Sequence, residues 1–429
     1  MHLRGDYLNF EEFELNSQLI TALRIVGHTT PTEVQENAIP VALKGQDILA
    51  IAPTGTGKTL AFLLPIFEKL TKEESGDIKA LILVPTRELA EQIYQVSVTL
   101  AKGTNIHSTV IYGGVNKSPQ VKKLKRRSQI VIACPGRLLD HISDRNINLS
   151  KINMLVLDEA DTMCDMGFII DIEKILKHIP QRRQNMFFAA TMQKEIRILA
   201  NGILRDPITV QIGEIAPVKT VSHSIYPVVE ILKKRLILDL LDCTATGRVI
   251  IFTRTKHKAH WLSNHLTKAK YRVAELQGNM SQNRRQQAID GFKNGKYDIL
   301  VATDVASRGI DVSEVSHVIN FDMPNSVDAY IHRIGRTGRA ENVGEAITFT
   351  LPEDEYLLRK IEKTLGNSIE QRRLNDFDYG GFDPLKQSSN FKKSAQGKYK
   401  TTTYRKQNSQ SRSSNTWQSK KRSYKPVSK

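Results

Sequence analysis

Short apolar runs, often β-branched, alternate along most of the chain with longer stretches whose apolar positions recur every three to four residues. In the first half these runs fall at 47–52, 80–84, 109–112, 129–133, 154–157 and 186–189. In the second half they fall at 223–228, 248–252, 271–276, 298–302, 317–321 and 346–350. Strands that are apolar on both faces, separated by helix-length segments, predict parallel sheets with crossover helices. Each half is long enough for a doubly wound α/β domain of its own. The stretch 213–220, Gly-Glu-Ile-Ala-Pro-Val-Lys-Thr, reads as a hinge between them. The expected layout is a first domain at 1–212, a linker at 213–220, a second domain at 221–370 and a tail at 371–429. No short sequence repeat is visible, only a repeated architecture.

Length and charge refine this picture. A chain of 429 residues exceeds one ordinary core, and its 40% hydrophobic content suits folded domains. The three cysteines, Cys134, Cys164 and Cys243, show no close pairing, which argues against a disulfide framework or a cysteine zinc site and fits a reducing compartment. No run reaches membrane-spanning length and the first residues carry no apolar leader, so a soluble cytoplasmic protein is expected. The net charge is +17, but 13 of the 62 Lys and Arg lie in 384–429, which has no Asp or Glu. The preceding residues are therefore nearly balanced, at about +4. The tail is rich in Ser, Thr, Asn and Gln and cannot offset its own ordering entropy, so it is expected to be disordered. Phe391, Tyr399, Tyr404, Trp417 and Tyr424 are interleaved with its cations, a composition suited to phosphate attraction and base stacking on single-stranded nucleic acid.

The chemistry lies in three places. Pro53-Thr54-Gly55-Thr56-Gly57-Lys58-Thr59 follows an expected strand and opens a helical pattern. Gly55 and Gly57 allow the backbone amides to turn inward around phosphate oxygens, and the following helix N-terminus adds favourable dipole charge. Lys58 would reach the β- and γ-phosphates, and the Thr59 hydroxyl would ligate Mg²⁺. Asp158-Glu159-Ala160-Asp161 ends the run 154–157, which puts Asp158 at a strand's C-terminal edge beside that loop. A second Mg²⁺ carboxylate belongs there, with Glu159 placed to activate water. In the second half, His332-Arg333-Ile334-Gly335-Arg336-Thr337-Gly338-Arg339 offers two arginines of the kind that reach into a phosphoryl-transfer site. Together these imply an ATPase whose site is completed when two domains close.

Over roughly residues 8–370 the chain resembles the DEAD-box ATP-dependent RNA helicases, and segments such as Ile369-Glu370-Gln371-Arg372-Arg373-Leu374 resemble the bacterial RhlE type. The resemblance implies two tandem RecA-like domains, ATP and Mg²⁺ as cofactors, and RNA held by its backbone with little sequence preference. It implies that Phe10 and Gln35 recognise adenine, and that Asp311 contacts the ribose or nucleotide edge. Arg336 and Arg339 become arginine fingers, while Asp161, Thr191 and His332 couple the domains. The RNA track it implies comprises Pro85, Thr86, Arg87, Gly113, Gly114, Pro135, Gly136 and Arg137. In the second domain it adds residues 252–255, Gln282 with Arg285, and Thr303 with Asp304. Arginines, hydroxyls and exposed glycine amides suit sequence-independent phosphate contact. A duplex must then bend or open to fit. A monomer with possible ribonucleoprotein or ribosome-assembly partners is expected.

This chain departs from the family pattern at several points. Ala52 replaces the first glycine of the loop, His28 the usual Phe, and Cys134 the usual Thr, a change that removes one possible RNA contact. Ala189-Ala190-Thr191 replaces Ser-Ala-Thr, which removes a possible hydrogen bond to Asp161 and predicts weaker coupling of hydrolysis to unwinding. His257, His260 and His265 beside Trp261 match no common zinc spacing, and Met163 and Met166 read as core. The basic run Lys122-Lys123-Leu124-Lys125-Arg126-Arg127 reads equally as a solvated face or an RNA rim. Two rivals remain beside the helicase reading: an ATP-gated RNA clamp with little net unwinding, and a DNA helicase.

Overall fold

A computed structural model describes residues 9–53, 55–73, 76–212, 221–244, 247–307, 315–338 and 344–381. Thr54, Asp311, Arg339, the expected linker and the aromatic-basic tail lie outside these residues. The first sheet contains β1 Ile48–Ile51, β2 Ala80–Leu83, β3 Ser108–Ile111, β4 Ile130–Ala133, β5 Met154–Leu157, β6 Gln184–Ala189 and β7 Ile208–Gln211. Their order is β3-β4-β2-β5-β6-β1-β7. The second contains β8 Val221–Pro227, β9 Arg248–Thr253, β10 Val273–Leu276, β11 Ile299–Thr303, β12 Val315–Asn320, β13 Gly344–Thr350 and β14 Glu370–Gln371. Its order, β10-β11-β9-β12-β13-β8-β14, is that of the first sheet with every index raised by seven. All pairings within both sheets are parallel.

Helices on both faces bury both sides of each sheet, which is why the strands read as unbroken apolar runs. Adjacent residues on β6 show this: Phe188 packs with Phe62 and Phe67 on one face, while Phe187 packs with Leu155 and Leu157 on the other. Burying one such side chain contributes about 1.5–3 kcal/mol, so these layers dominate stability. The helix Lys58–Leu70 is buried along most of its length, packed against the helices Ser17–Ile25, Glu33–Leu43 and Arg87–Leu100. This anchors the loop that precedes it.

Every apolar run named above lies on a strand, and the expected α/β architecture is the one observed. Two edge strands were not anticipated, β7 and the two-residue β14. The boundary placed at 370 also needs correction. Gln371 still pairs with β8, Phe377 is buried in the second core, and the Tyr379 hydroxyl accepts from the Leu374 N–H at 3.0 Å. Arg235 stacks its guanidinium over the Phe377 ring at 5.2 Å. Apolar anchors therefore hold the chain on the second domain at least as far as Tyr379.

Candidate active site

The phosphate-loop candidates lie at the C-terminal end of β1. Gly55 (φ 86°) and Gly57 (φ 91°) are left-handed, a region that glycine alone occupies without strain. A Cβ on Gly57 would also lie 2.4 Å from the Gln35 amide nitrogen, so the close approach of two elements requires glycine. Lys58 is buried and donates to the Ala52 carbonyl at 2.9 Å, while the Thr56 hydroxyl donates to Pro53 at 2.8 Å. Thr59 is half-buried in the first turn of the helix.

The adenine candidates are engaged with protein. Gln35 accepts from the Thr32 N–H at 2.9 Å and donates to the Gly57 carbonyl at 2.9 Å, and the Thr32 hydroxyl donates to Thr56 at 2.7 Å. Gln35 is thus a strut under the loop, and both ends of its amide are occupied. Phe10 is buried, edge-on to Phe13 with ring centroids 6.0 Å apart, and presents no open face. The ring is part of the first core.

Asp158, Glu159 and Asp161 are all buried beyond the end of β5. Glu159 has φ 51°, an uncommon conformation for a residue with a side chain and one that concentrates at functional sites. Burial pushes the Glu159 carboxyl up to about 7, and neighbouring Asp158 adds to this, against the pull of Lys58 and Arg336. Burial likewise raises the Asp158 carboxyl, opposed by Lys58 and by the Glu159 N–H that donates to it at 3.0 Å. Buried carboxylates without full compensation favour a cation beside them. Among the described residues no cluster of three or more His, Cys, Asp or Glu could hold a metal by itself. The buried Asp158 carboxylate would suit an ion that keeps waters and phosphate oxygens among its ligands.

Asp161 is well supplied. One oxygen accepts from the Thr162 N–H at 3.0 Å; the other accepts from the Ala190 and Thr191 N–H groups, both at 2.9 Å, and from the Thr191 hydroxyl at 3.3 Å. Position 189 offers no hydroxyl to this carboxylate, and backbone amides and Thr191 serve it. His332 Nε2, from the second domain, lies 3.8 Å from the same oxygen.

Other contacts cross between the two sheets' domains. Glu88 Oε1 accepts twice from Arg285, at 3.0 and 2.8 Å, in a buried pair. Arg87 donates to Gln282 Oε1 at 2.9 Å, and Gln193 donates to Asp328 at 2.7 Å. Arg285, expected on the RNA backbone, therefore spends its guanidinium on Glu88 and on the Ala306 carbonyl at 3.1 Å. Arg87 also lies against Gly114, where a Cβ would sit 2.3 Å from its guanidinium, and Arg137 donates to the Val115 carbonyl at 3.1 Å. Gly114 thus lies beside Arg87, and Arg137 reaches the residue that follows it on the first domain. Thr86 is buried as the N-cap of the helix Arg87–Leu100, and Pro85 and Pro135 are buried as well. Thr303 ends β11, half-buried.

Residues 32–199 match the DEAD/DEAH box helicase family, and 232–341 match the helicase conserved C-terminal domain. The DEAD-box ATP-dependent RNA helicase RhpA of Helicobacter pylori is 41% identical over 363 residues, covering 84% of this chain and 73% of that protein. The chain belongs to the DEAD-box helicase family. The ATP-dependent RNA helicase CshA of Listeria monocytogenes is also 41% identical, over 86% of this chain and 71% of its own length. Among solved structures, Saccharomyces cerevisiae Dbp5 bound to RNA and ADP-BeF3 matches with a TM-score of 0.78 and 30% identity, covering 86% of this chain and 96% of that one.

For this DEAD-box chain, sequence reasoning missed Arg333. Its side chain is buried, donates to Asp304 at 2.8 Å, to Asn320 at 3.0 Å and to the Asp322 carbonyl at 2.8 Å, and lies over the Phe252 ring at 5.1 Å. Helical spacing was the available signal. On the helix Val327–Ile334 the placement that turns His332 toward Asp161 turns the next residue, Arg333, into its own domain. Glu88, Gln193 and Asp328 carried no such signal.

Proposed function

We infer that the protein is an RNA-stimulated ATPase that remodels RNA duplexes and RNA–protein complexes through closure of its two domains. The carrying observation is that His332 Nε2, from the second domain, lies 3.8 Å from Asp161 Oδ2 beside the buried Glu159 of the first, whose carboxyl the Arg336 charge pulls down against burial. A water-activating carboxylate and a finger arginine on different domains make hydrolysis conditional on closure. In this reading Lys58 leaves the Ala52 carbonyl for the β- and γ-phosphates, and the Gly55 and Gly57 turn presents amides to them. Glu159, held near neutrality by burial, takes a proton from water at physiological pH. Arg336 and Arg339 stabilise charge on the transferring phosphoryl group. Mg²⁺ brought with ATP, held by Thr59 and Asp158, would neutralise charge on the β- and γ-oxygens. Gln35 keeps a second N–H and a second oxygen lone pair for adenine while it braces Gly57, which ties base recognition to the position of the loop.

RNA would run over Arg87, Gly113, Gly114, Gly136, Arg137 and Thr303, with Arg285 positioning rather than gripping it. The family relationship and the RNA-bound Dbp5 neighbour support this assignment. Steady-state ATP hydrolysis with an RNA oligomer, a matched DNA oligomer and no nucleic acid tests it, beside Glu159→Gln. Stimulation by RNA alone, abolished in Glu159→Gln, is the expected result. Equal rates with DNA or with no nucleic acid would overturn the RNA-dependent reading.

A further inference from the structure

We propose that Gln193 and Asp328 form a latch between the domains that stabilises the closed, nucleotide-bound state, a role that rests on the closure reading above. The Gln193 side-chain amide donates to Asp328 Oδ2 at 2.7 Å, and both residues are half-buried. Gln193 lies two residues beyond Thr191, whose N–H and hydroxyl serve Asp161. Asp328 lies four residues before His332 on the helix Val327–Ile334, so both project from one face.

The result is a row of three links made by one edge of the second domain. Asp328 meets Gln193, His332 meets Asp161, and Arg336, one turn further on, acts on Glu159. The last two lie within motifs assigned to the nucleotide site. The first lies outside any motif, yet at 2.7 Å it is shorter than the 3.8 Å approach of His332 to Asp161. A hydrogen bond to a charged acceptor is among the stronger kinds. Its geometry exists only when the two domains are together, so its free energy goes entirely to the closed state. Linkage then requires that its loss weaken ATP and RNA binding reciprocally.

Neither side chain has another structural duty that a variant would expose. Gln193 occupies the N-cap position of the helix Lys194–Ile203 but makes no side-chain cap bond. Asp328 in the first turn of its helix gains some dipole stabilisation, which melting would report and closure would not.

The test uses the full chain and labelled RNA, with binding measured with and without a non-hydrolysable ATP analogue, alongside ATPase kinetics. Gln193→Ala and Asp328→Ala should each weaken RNA binding about fivefold with the analogue, the low end of usual site–site coupling, and leave it unchanged without nucleotide. The RNA KM should rise while kcat at saturation holds, and the melting temperature of Gln193→Ala should stay at the parent value. The double variant should be no weaker than either single one, because one bond is removed once. Gln193→Lys, which restores a donor to Asp328, should recover binding. Additive losses in the double variant, equal losses without nucleotide, or unchanged binding in both single variants would overturn the latch. Parent protein with no RNA-stimulated, Glu159-dependent hydrolysis would instead overturn the function on which the latch rests.

Discussion

The two domains share one strand order, so each position of one has a counterpart in the other, and the sharpest contrast lies beyond β1 and β8. In the first domain a loop with two left-handed glycines leads to Lys58, the first residue of its helix, opposite Asp158 at the end of β5. In the second, glycine-free residues and a short 3₁₀ turn lead to Lys233, also the first residue of its helix, opposite Asp322 just past β12. Lys233 is only 2% exposed and lies 3.3 Å from Asp322, with Glu230 at 3.0 Å and Lys258 at 2.6 Å from Asp322. Burial alone would raise the Asp322 carboxyl, but the Arg254 N–H, Lys258 and Lys233 hold it below the usual carboxylate range. The Asp158 carboxyl is shifted the opposite way. The same lysine–carboxylate placement is closed on itself in one domain and left short of positive charge in the other. Only the second condition suits the metal and phosphate chain of the proposed function.

The contrast breaks most visibly at the two lysines. Lys58→Ala should lower ATP turnover about 100- to 1,000-fold, as losing one positioned transition-state donor does, with little change in folding. Lys233→Met should do the reverse. It leaves turnover per folded molecule intact but destabilises the second domain by about 3 kcal/mol, the low end for breaking a buried ion pair, since Lys258 still serves Asp322. Denaturant midpoints and kcat measured on both variants decide it. A Lys233→Met protein with full stability would mean the second site is not a satisfied pair.

A smaller test concerns the pH response of the open site. The folded-state value for Glu159, about 7, lies above its ordinary 4.5, so the folded protein holds this proton more tightly than the unfolded chain. Its burden on stability is therefore absent below about 4.5, grows as pH rises, and is complete above about 7. At 1.4 kcal/mol per unit, Glu159→Gln should stabilise the ligand-free protein by up to about 3 kcal/mol at pH 8 and by almost nothing at pH 4. In the parent, kcat/KM should climb with pH, reaching half its plateau near 7. Equal unfolding midpoints for parent and variant across this range would remove the burial account of Glu159.

Sequence legibility followed the same physics. Central parallel strands are buried on both faces and announce themselves as apolar runs, as Met154–Leu157 does. Ile208–Gln211 is an edge strand with one buried position, and Glu370–Gln371 has none, so ladder bonds rather than side chains define them. Leu374, Phe377 and Tyr379 anchor the chain beyond 370 without any periodicity to reveal them. The nucleotide motifs were legible because a phosphate-binding turn requires glycine and lysine within a few residues. The pairs Lys233–Asp322, Glu88–Arg285 and Gln193–Asp328 were not, since each joins positions far apart in sequence through chemistry common on any surface. Gln35 and Arg285 were found, but as protein-holding groups their side chains are committed in ways that residue type alone does not disclose.

The smallest effect comes from helix caps at corresponding places. Thr86 after β2 and Thr255 after β9 are counterparts, and each hydroxyl accepts from an N–H three residues on, Leu89 at 3.3 Å and Lys258 at 3.2 Å. Cys134 holds the same N-cap position for the helix Pro135–Ser143, with extended backbone (φ −81°, ψ 136°), but makes no cap bond. Burial pushes its thiol up to about 12, with Glu88 adding to this against Arg87, so it stays protonated and is a poor acceptor for the Gly136 and Arg137 amides. Cys134→Ser should stabilise the first domain by about 1 kcal/mol, the usual worth of a hydroxyl cap. Cys134→Thr should gain less if its added methyl crowds the buried site, and the difference between the two measures that crowding. A thermal midpoint unchanged in Cys134→Ser would show that the first turn of this helix already has its amides satisfied, and that Thr86 and Thr255 are no guide to it.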